Sequence, residues 1–500
     1  MENLPEIAKP RRIPITIRIS DYIRDHVFRE RAVYPAVEAM RLLAGSTLEA
    51  FPRMSVTVMK DADFTRFIEI PGDASSIEAF HEINEGDGVV ISKLGTLRRS
   101  GNTSITRAVE HVSIAFPGEI PLPDEPPLDK TLGLEGICAT PERELIYGEL
   151  VPFGPAYRNI ESLHVSRDGV IAVVKGGMAD APGEPLGSPF PLDASFHGAC
   201  VWGQRYAGIV GFPVHLDLRI IRKKTRAGET YFSRITPVSI DGDALVYNLW
   251  IYDSEGTLCE EVRGLRMRDV SGGTLLPPEW IRAEEGDPLG PIRSLCRDLC
   301  AIELGSHTAP CAGVLSEAER IRFADMREKR GRSFLGSRMA LKTIARRMPG
   351  GDPCAAASAL TTMHPDGRPR CPLPDGSEPF RSSASHDSRF VVAVIADHPV
   401  GIDVEQISGR VLKGRRLYMH EEELVLADAY PPGEIEASTR IWSIKEAVAK
   451  ALGSGLPESW RRVIVSHIGG HSSRYTLDGE TREAHHASVD GHLFTLCLLD

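Results

Sequence analysis

Over most of the first 270 positions, apolar and polar residues alternate with period two. ITIRIS (15–20), SVTVMK (55–60), GVVISKLGTL (88–97) and TSITRAVEHVSIAF (103–116) form one group. VIAVVKG (170–176), VHLDLRIIRK (214–223), TYFSRITPV (230–238) and ALVYNLWIYD (244–253) form a second. Successive strand side chains point to opposite faces, so this alternation predicts half-buried strands. YDSEGTLCEEVRGLRMRDV (252–270) predicts a hairpin turning at DSEG. Two stretches interrupt the pattern, PGEIPLPDEPPLDK (117–130) and SGGTLLPPEWIRAEEGDPLGP (271–291). Both are rich in Pro and acids and cannot continue a sheet or a helix. They divide the chain into 10–120, 129–270, a linker at 271–291, and 292–500, where helical and strand patterns mix.

Composition narrows the class. With 42% hydrophobic and 25% charged residues, the 500-residue chain reads as a multidomain globular protein. No apolar stretch approaches the roughly 20 residues that span a bilayer, and the polar start MENLPEIAKPRRIP lacks a secretion signal's apolar core. Nine cysteines without CxxC pairs read as reduced and structural, so a cytoplasmic protein with no membrane role is expected. Residues 317–347 carry ten Arg or Lys against four Asp or Glu, although the formal net charge is −11. A local positive surface suits an anionic nucleotide and an acidic protein. The pI near 5.9 and the lack of a helix-turn-helix, zinc-finger or RNA-stacking signature argue against nucleic acid.

Candidate chemistry concentrates near the C-terminus. In GIDVE (401–405), Asp403 and Glu405 are one residue apart and share a side of an extended segment. In WSIKEAVAK (442–450), Trp442, Glu446 and Lys450 share a helix face. Three carboxylates converging beside Lys445 and Lys450 could hold a hard divalent cation against an anionic phosphate. Upstream, SASH (383–386), RFVVAVIA (389–396), a turn at DHP and PVGIDVE predict a β-hairpin. His386 would lie near one end of it and the acid pair near the other.

With DGRP (366–369) and RGRSFLGSRMALK (330–342), this series resembles the 4′-phosphopantetheinyl transferase superfamily, in its pseudodimeric surfactin-synthetase-activating form, over roughly 292–500. The resemblance implies that Asp403, Glu405 and Glu446 bind Mg2+, with Mn2+ as the alternative ion, beside the pyrophosphate of coenzyme A. It places Arg332 on the coenzyme A 3′-phosphate, Ser385 and His386 on the nucleotide phosphates, and Lys450 beside the pyrophosphate. Glu446, or water it holds, would take the proton from the attacking serine of an acyl carrier protein. Arg368 replaces the family's usual lysine, and Ser383 replaces a common asparagine. Arg320 and Arg322 lie near the position of an upstream basic pair that helps to hold coenzyme A.

Three further patterns stand in the strand-rich part: DHVFRERAVYPAVEAM (25–40), VPFGPAYRNIESL (151–163) and PLDASFHGACVWGQ (191–204). Together they resemble the dehydratase domain of polyketide synthases, a double hot-dog fold, over roughly 10–270. By that likeness His26 is the base that removes the α-proton of a 3-hydroxyacyl thioester. Asp193 protonates the departing hydroxyl, His197 orients Asp193 or substrate, and N–H groups around Gly154 polarise the thioester carbonyl. Glu30 and Ala36 stand where the family has glycines.

The expected fold class is thus α+β, a double hot-dog followed by a pseudodimeric transferase. The order resembles the C-terminal end of enediyne-type iterative polyketide synthases, with the carrier supplied by another chain. Hot-dog behaviour implies a homodimer through that half. The competing reading is a monofunctional transferase with a noncatalytic docking or dimerisation module. A third makes the first half a thioesterase-like hydrolase.

Overall fold

The computed structural model describes residues 10–86, 88–99, 106–126, 133–178, 183–241, 243–283, 286–304 and 312–499. The start of the strand expected from 103, and positions 127–130 and 284–285 of the expected linkers, lie outside the described residues. The chain forms two compact units, 1–124 with 138–283, and 125–137 with 284–500. Among the described residues, no helix is long and apolar enough to cross a membrane.

The first unit is built on strands β1 (Arg11–Arg18), β4 (Val58–Phe64), β5 (Ser76–Gly86), β6 (Val89–Arg99), β7 (Thr106–Phe116), β8 (Ile160–Ser166), β9 (Gly169–Lys175), β10 (Phe212–Ile221), β11 (Thr230–Asp241), β12 (Ala244–Asp253) and β13 (Leu258–Arg268). A small hairpin, β2 (Val27–Phe28) with β3 (Arg31–Ala32), stands apart. The eleven join in one antiparallel sheet ordered β1-β5-β6-β7-β4-β10-β13-β12-β11-β9-β8. Its two halves meet where β4 pairs with β10, Met59 opposite Arg219.

Each half wraps one helix, the hot-dog arrangement. Helix α1 (Ala36–Ala50) follows Pro35 and buries Val37, Met40, Leu43, Ala44 and Thr47, a three-four spacing that makes one apolar face. Each large apolar side chain so buried contributes about 1.5–3 kcal/mol. Helix α2 (Phe190–Tyr206) is buried on nearly every side, so its polar residues need partners or a cavity. Strand β5 carries SIEAFHEINEG, whose polar run hid it from the alternation pattern.

In the second unit, β14 (Asp298–Glu303), β16 (Phe390–Ala396) and β15 (Arg381–His386) form a three-stranded sheet. Strands β17 (Val400–Gln406), β21 (His492–Leu498), β20 (Glu480–Val489), β19 (Ser472–Leu477) and β18 (Val463–Ile468) form a five-stranded one. The expected hairpin is therefore corrected. RFVVAVIA pairs back with β15, His386 opposite Val391, whereas β17 leaves to pair with β21, Asp403 opposite Thr495. Pro399 has no N–H to extend a ladder, and the chain changes sheets there.

One device occurs twice in this unit. Helix α3 (Glu317–Ala324) opens with a capping box, and its Glu319 binds Lys342 of α4 (Glu328–Arg347) at 2.7 Å, both side chains fully buried. Helix α5 (Glu421–Asp428) likewise opens with a capping box, and its Glu423 binds Lys445 of α6 (Glu434–Leu452) at 2.7 Å, again fully buried. Lys445 also donates to Tyr418 O at 2.6 Å, so it is committed to this bridge and does not join the acid trio. Segment 133–137 lies on the edge of the small sheet. Glu135 bridges to Ile302, Gly136 N donates to Ala301 O at 2.8 Å, and Leu134 is wholly buried.

Candidate active sites

Strand β17 and helix α6 assemble the first site. Gly401 allows their close approach, since a Cβ there would lie 1.7 Å from Ala447 O. Asp403, Glu405 and Glu446 each place a carboxylate oxygen within 4.8 Å of the others, the one such cluster among the described residues. Asp403 is almost wholly buried and every contact on it is a donor. Ser385 Oγ and Lys450 Nζ donate to its Oδ1, and Ser443 Oγ to its Oδ2, all at 2.8 Å. Trp442 Nε1 donates to Glu405 Oε1 at 3.1 Å, and Lys450 lies 3.3 Å from Glu446.

The electrostatics favour a further positive charge. Burial and the neighbouring Asp403 push Glu405 up to about 7, outweighing the Trp442 hydrogen bond. Burial, then Asp403, likewise raises Glu446. Burial works to lower Lys450, but Asp403 and Glu446 outweigh it and hold Lys450 above the ordinary lysine range. One lysine does not neutralise three acids. The all-oxygen donor set suits a hard divalent cation that also takes phosphate and water ligands.

The second site lies in the first unit. His26 follows the turn Asp21–Asp25, and its carbonyl accepts from Val33 N at 2.9 Å. Phe153 stacks on the imidazole at 4.4 Å between ring centres, and Tyr157 meets it edge-on at 5.1 Å. Asp193 and His197 project from one face of α2. Asp193 Oδ1 is 3.9 Å from His26 Nε2, too far for a hydrogen bond. Asp193 Oδ2 is 3.0 Å from His197 Nε2, an ion-pair distance whose angle is not that of a hydrogen bond. These residues line a cavity of about 980 Å³ with Phe196, Cys200 and Phe212. Burial pulls His26 down to about 4, against the opposing pull of Asp193, so the imidazole is neutral near pH 7.

Gly154 serves a different end from the one expected. Its N–H is donated to Asp25 O at 2.7 Å, and Ala156 N–H to Asp25 Oδ2 at 2.8 Å, so neither is free to polarise a thioester. The Gly-Pro segment instead fastens the residue preceding His26. A Cβ on Gly154 would lie 2.5 Å from Asp25 Cγ, which is why glycine is needed.

Residues 399–497 match the 4′-phosphopantetheinyl transferase superfamily, and residues 142–277 match the polyketide synthase dehydratase N-terminal domain. The chain joins domains of these two families. Among its relatives, the 4′-phosphopantetheinyl transferase gsp of Aneurinibacillus migulanus is 37% identical over 73 residues, 14% of this chain and 31% of that protein. A polyunsaturated fatty acid synthase polypeptide of a Thraustochytrium species is 26% identical over 220 residues, 42% of this chain and 8% of that protein. The chain thus spans about a third of the first relative and under a tenth of the second. A solved trans-AT polyketide synthase dehydratase domain from Brevibacillus brevis aligns at 16% identity and TM-score 0.42, covering 53% of this chain and 95% of that one.

In the transferase domain, Ser385 and Lys450 reach the acid trio, and Ser383 Oγ accepts from Ile402 N at 3.2 Å. His386 ends β15 on the exposed side. Arg332 is exposed on α4 and paired with Glu328 at 3.3 Å; Arg368 is exposed and paired with Asp366 at 2.7 Å. Neither touches the trio. Arg322 packs its guanidinium on Gly367 of the same turn, where a Cβ would lie 2.4 Å from it. The helix face that carries Trp442, Glu446 and Lys450 is legible in the sequence, but the roles of Trp442 as donor to Glu405 and of Ser443 as donor to Asp403 are not; Ser443 stands three residues before Glu446, a one-turn spacing that is its signal. In the dehydratase domain, Glu30 takes a left-handed φ of 63°, the conformation that makes glycine the favoured residue there. Ala36 is the first residue of α1 and lines the cavity.

Proposed function

We propose that the transferase domain moves 4′-phosphopantetheine from coenzyme A to a serine of an acyl carrier protein. Asp403, Glu405 and Glu446 would hold Mg2+, or Mn2+ in its place. The cation would supply charge stabilisation for the departing 3′,5′-ADP. Glu446 accepts the proton of the attacking serine hydroxyl as its oxygen bonds to phosphorus and the phosphorus–oxygen bond to the ADP breaks. Lys450 balances the pyrophosphate, while Ser385 and Ser443 fix the Asp403 carboxylate. Arg332 would take the coenzyme A 3′-phosphate, and His386 and Arg368 the nucleotide phosphates; the two arginines are exposed and held by Glu328 and Asp366. The observation that carries this reading is the convergence of the three acids from β17 and α6.

The dehydratase domain acts on the acyl group that such an arm presents. His26 Nε2, neutral near pH 7, takes the α-proton of a 3-hydroxyacyl thioester. A double bond forms, the β carbon–oxygen bond breaks, and Asp193 donates the proton that releases water. His197 orients Asp193. The shared cavity and the facing of His26 and Asp193 favour an active dehydratase over a noncatalytic scaffold. Carrier and pathway would belong to polyketide or unusual fatty-acid synthesis.

Mass spectrometry of a candidate carrier after incubation with coenzyme A and Mg2+ tests the transferase. A gain of one phosphopantetheine is expected, and no gain across varied carriers would overturn it. Loss of water from a hydroxyacyl carrier tests the dehydratase separately, and release of free acid instead would favour a hydrolase.

A further inference from the structure

The hairpin that follows His26 turns on two residues, Arg29 and Glu30, with φ of 49° and 63°. Two consecutive left-handed residues make the tight turn that Asn-Gly or Gly-Gly usually supplies. Here both carry long charged side chains, whose Cβ atoms crowd the backbone in that conformation. Such strain persists only where surrounding contacts hold it.

Arg29 makes those contacts. Its guanidinium donates to Ser271 O at 2.5 Å and to Thr274 Oγ1, and it lies over the Phe28 ring at 5.4 Å. The segment it grips is itself tightly folded. Asp269 accepts from Ser271 N at 2.6 Å and from Gly273 N at 2.5 Å, and Ser271 Oγ accepts from Thr274 N at 3.1 Å and Leu275 N at 3.0 Å. The segment presents Val270, Leu275 and Leu276 to the cavity that holds His26 and Asp193. Across that end, Phe28, Phe67 and Phe212 cluster with ring centres 4.8–6.2 Å apart. Leu276 is 72% exposed, so this is the open end of the cavity.

We infer that Arg29 is a positioning residue that latches segment 270–276 to the His26 hairpin and so sets how apolar acyl thioesters enter the cavity. The inference rests on the dehydratase reading for its kinetic consequence and on hydrogen bonds alone for its structural one. With the latch made, Leu275 and Leu276 complete an apolar wall opposite the phenylalanines. With it broken, that wall moves and the entering chain loses part of its contact, while His26 and Asp193 keep their own supports.

The full-length chain is compared with Arg29→Ala, Arg29→Lys and Thr274→Val. The probes are 3-hydroxyacyl pantetheine thioesters of short and long chain, together with amide exchange of peptides covering 268–278. Losing one or two hydrogen bonds predicts a three- to tenfold rise in KM for Arg29→Ala, roughly the range for such bonds, with kcat less affected. Exchange across 268–278 should quicken in the same protein. Arg29→Lys, which keeps one donor, should recover part of both effects, and Thr274→Val should fall between. Unchanged exchange in Arg29→Ala and Thr274→Val overturns the latch, as does a fall in kcat with KM and exchange unaltered. Should no thioester be dehydrated by the parent protein, the dehydratase reading falls while exchange still decides the latch.

Discussion

Glu405→Gln should make the metal-free transferase unit more stable and inactive at once. Glu405 stands at about 7 instead of the usual 4.5, pushed up by burial and by Asp403. A carboxyl whose pKa is raised in the folded state costs nothing while protonated in both states. The cost appears as pH rises above 4.5, grows through 7, and is fully present by pH 8. At about 1.4 kcal/mol per pH unit, and allowing for partial solvent screening, the penalty is about 1–3 kcal/mol. Glutamine keeps an acceptor for Trp442 Nε1, so the change removes charge without orphaning a buried donor. Thermal unfolding in the presence of a chelator, followed for this unit, should show Glu405→Gln melting roughly 3–10 °C above the parent at pH 8. The difference should vanish near pH 4.5. Adding Mg2+ should raise the parent and not the variant, reversing the order. A variant no more stable than the parent at pH 8 without metal would refute the argument that these acids repel one another in want of a cation.

Four other outcomes follow from the two sites. His26→Ala should abolish dehydration and leave carrier loading intact, and Glu446→Ala should do the reverse; mass spectrometry of one carrier reads both. Because His26 stands at about 4, dehydration should hold level as pH falls and drop only as it nears that value, and an acid limb near 6.5 would contradict its burial. Gly154→Ala drives a methyl into Asp25 and displaces two hydrogen bonds, so a loss of about 2–3 kcal/mol of stability and most dehydratase activity is expected in denaturant titration and assay. Glu30→Gly relieves a left-handed φ and should stabilise the dehydratase unit by about 1 kcal/mol, seen as a raised melting temperature.

Local pattern carried much of both sites. The alternation that puts Asp403 and Glu405 on one side, and the helical spacing of Glu446 and Lys450, are properties of neighbouring residues, and so are Asp193 and His197 one turn apart. What the sequence hid was long-range. Whether RFVVAVIA pairs forward or back depends on partners distant along the chain, and β21, the partner β17 takes, lies about 90 residues on. Lys445 reads like a site lysine, yet Glu423 claims it, a contact no spacing around Glu446 discloses. Strand β5 escapes the alternation pattern because His81, Glu82, Asn84 and Glu85 mask its period; His81 is nevertheless wholly buried, bonded to Ser46 at 2.8 Å. Gly154 looks in sequence like a donor to substrate because its actual acceptor, Asp25, lies 129 positions earlier.

The strand-like segment around Glu135 makes the C-terminal unit discontinuous in sequence, so no single cut isolates it. A fragment beginning at 284 would leave the edge of β14 bare and Arg347 without Glu135, to which it donates at 2.6 Å. During synthesis, Leu134 emerges roughly 160 residues ahead of the strand it covers, a wait of some ten to thirty seconds at ordinary elongation rates. Through that interval the ribosome completes the rest of the first unit, so the C-terminal unit cannot close its sheet edge until long after the covering segment has been made.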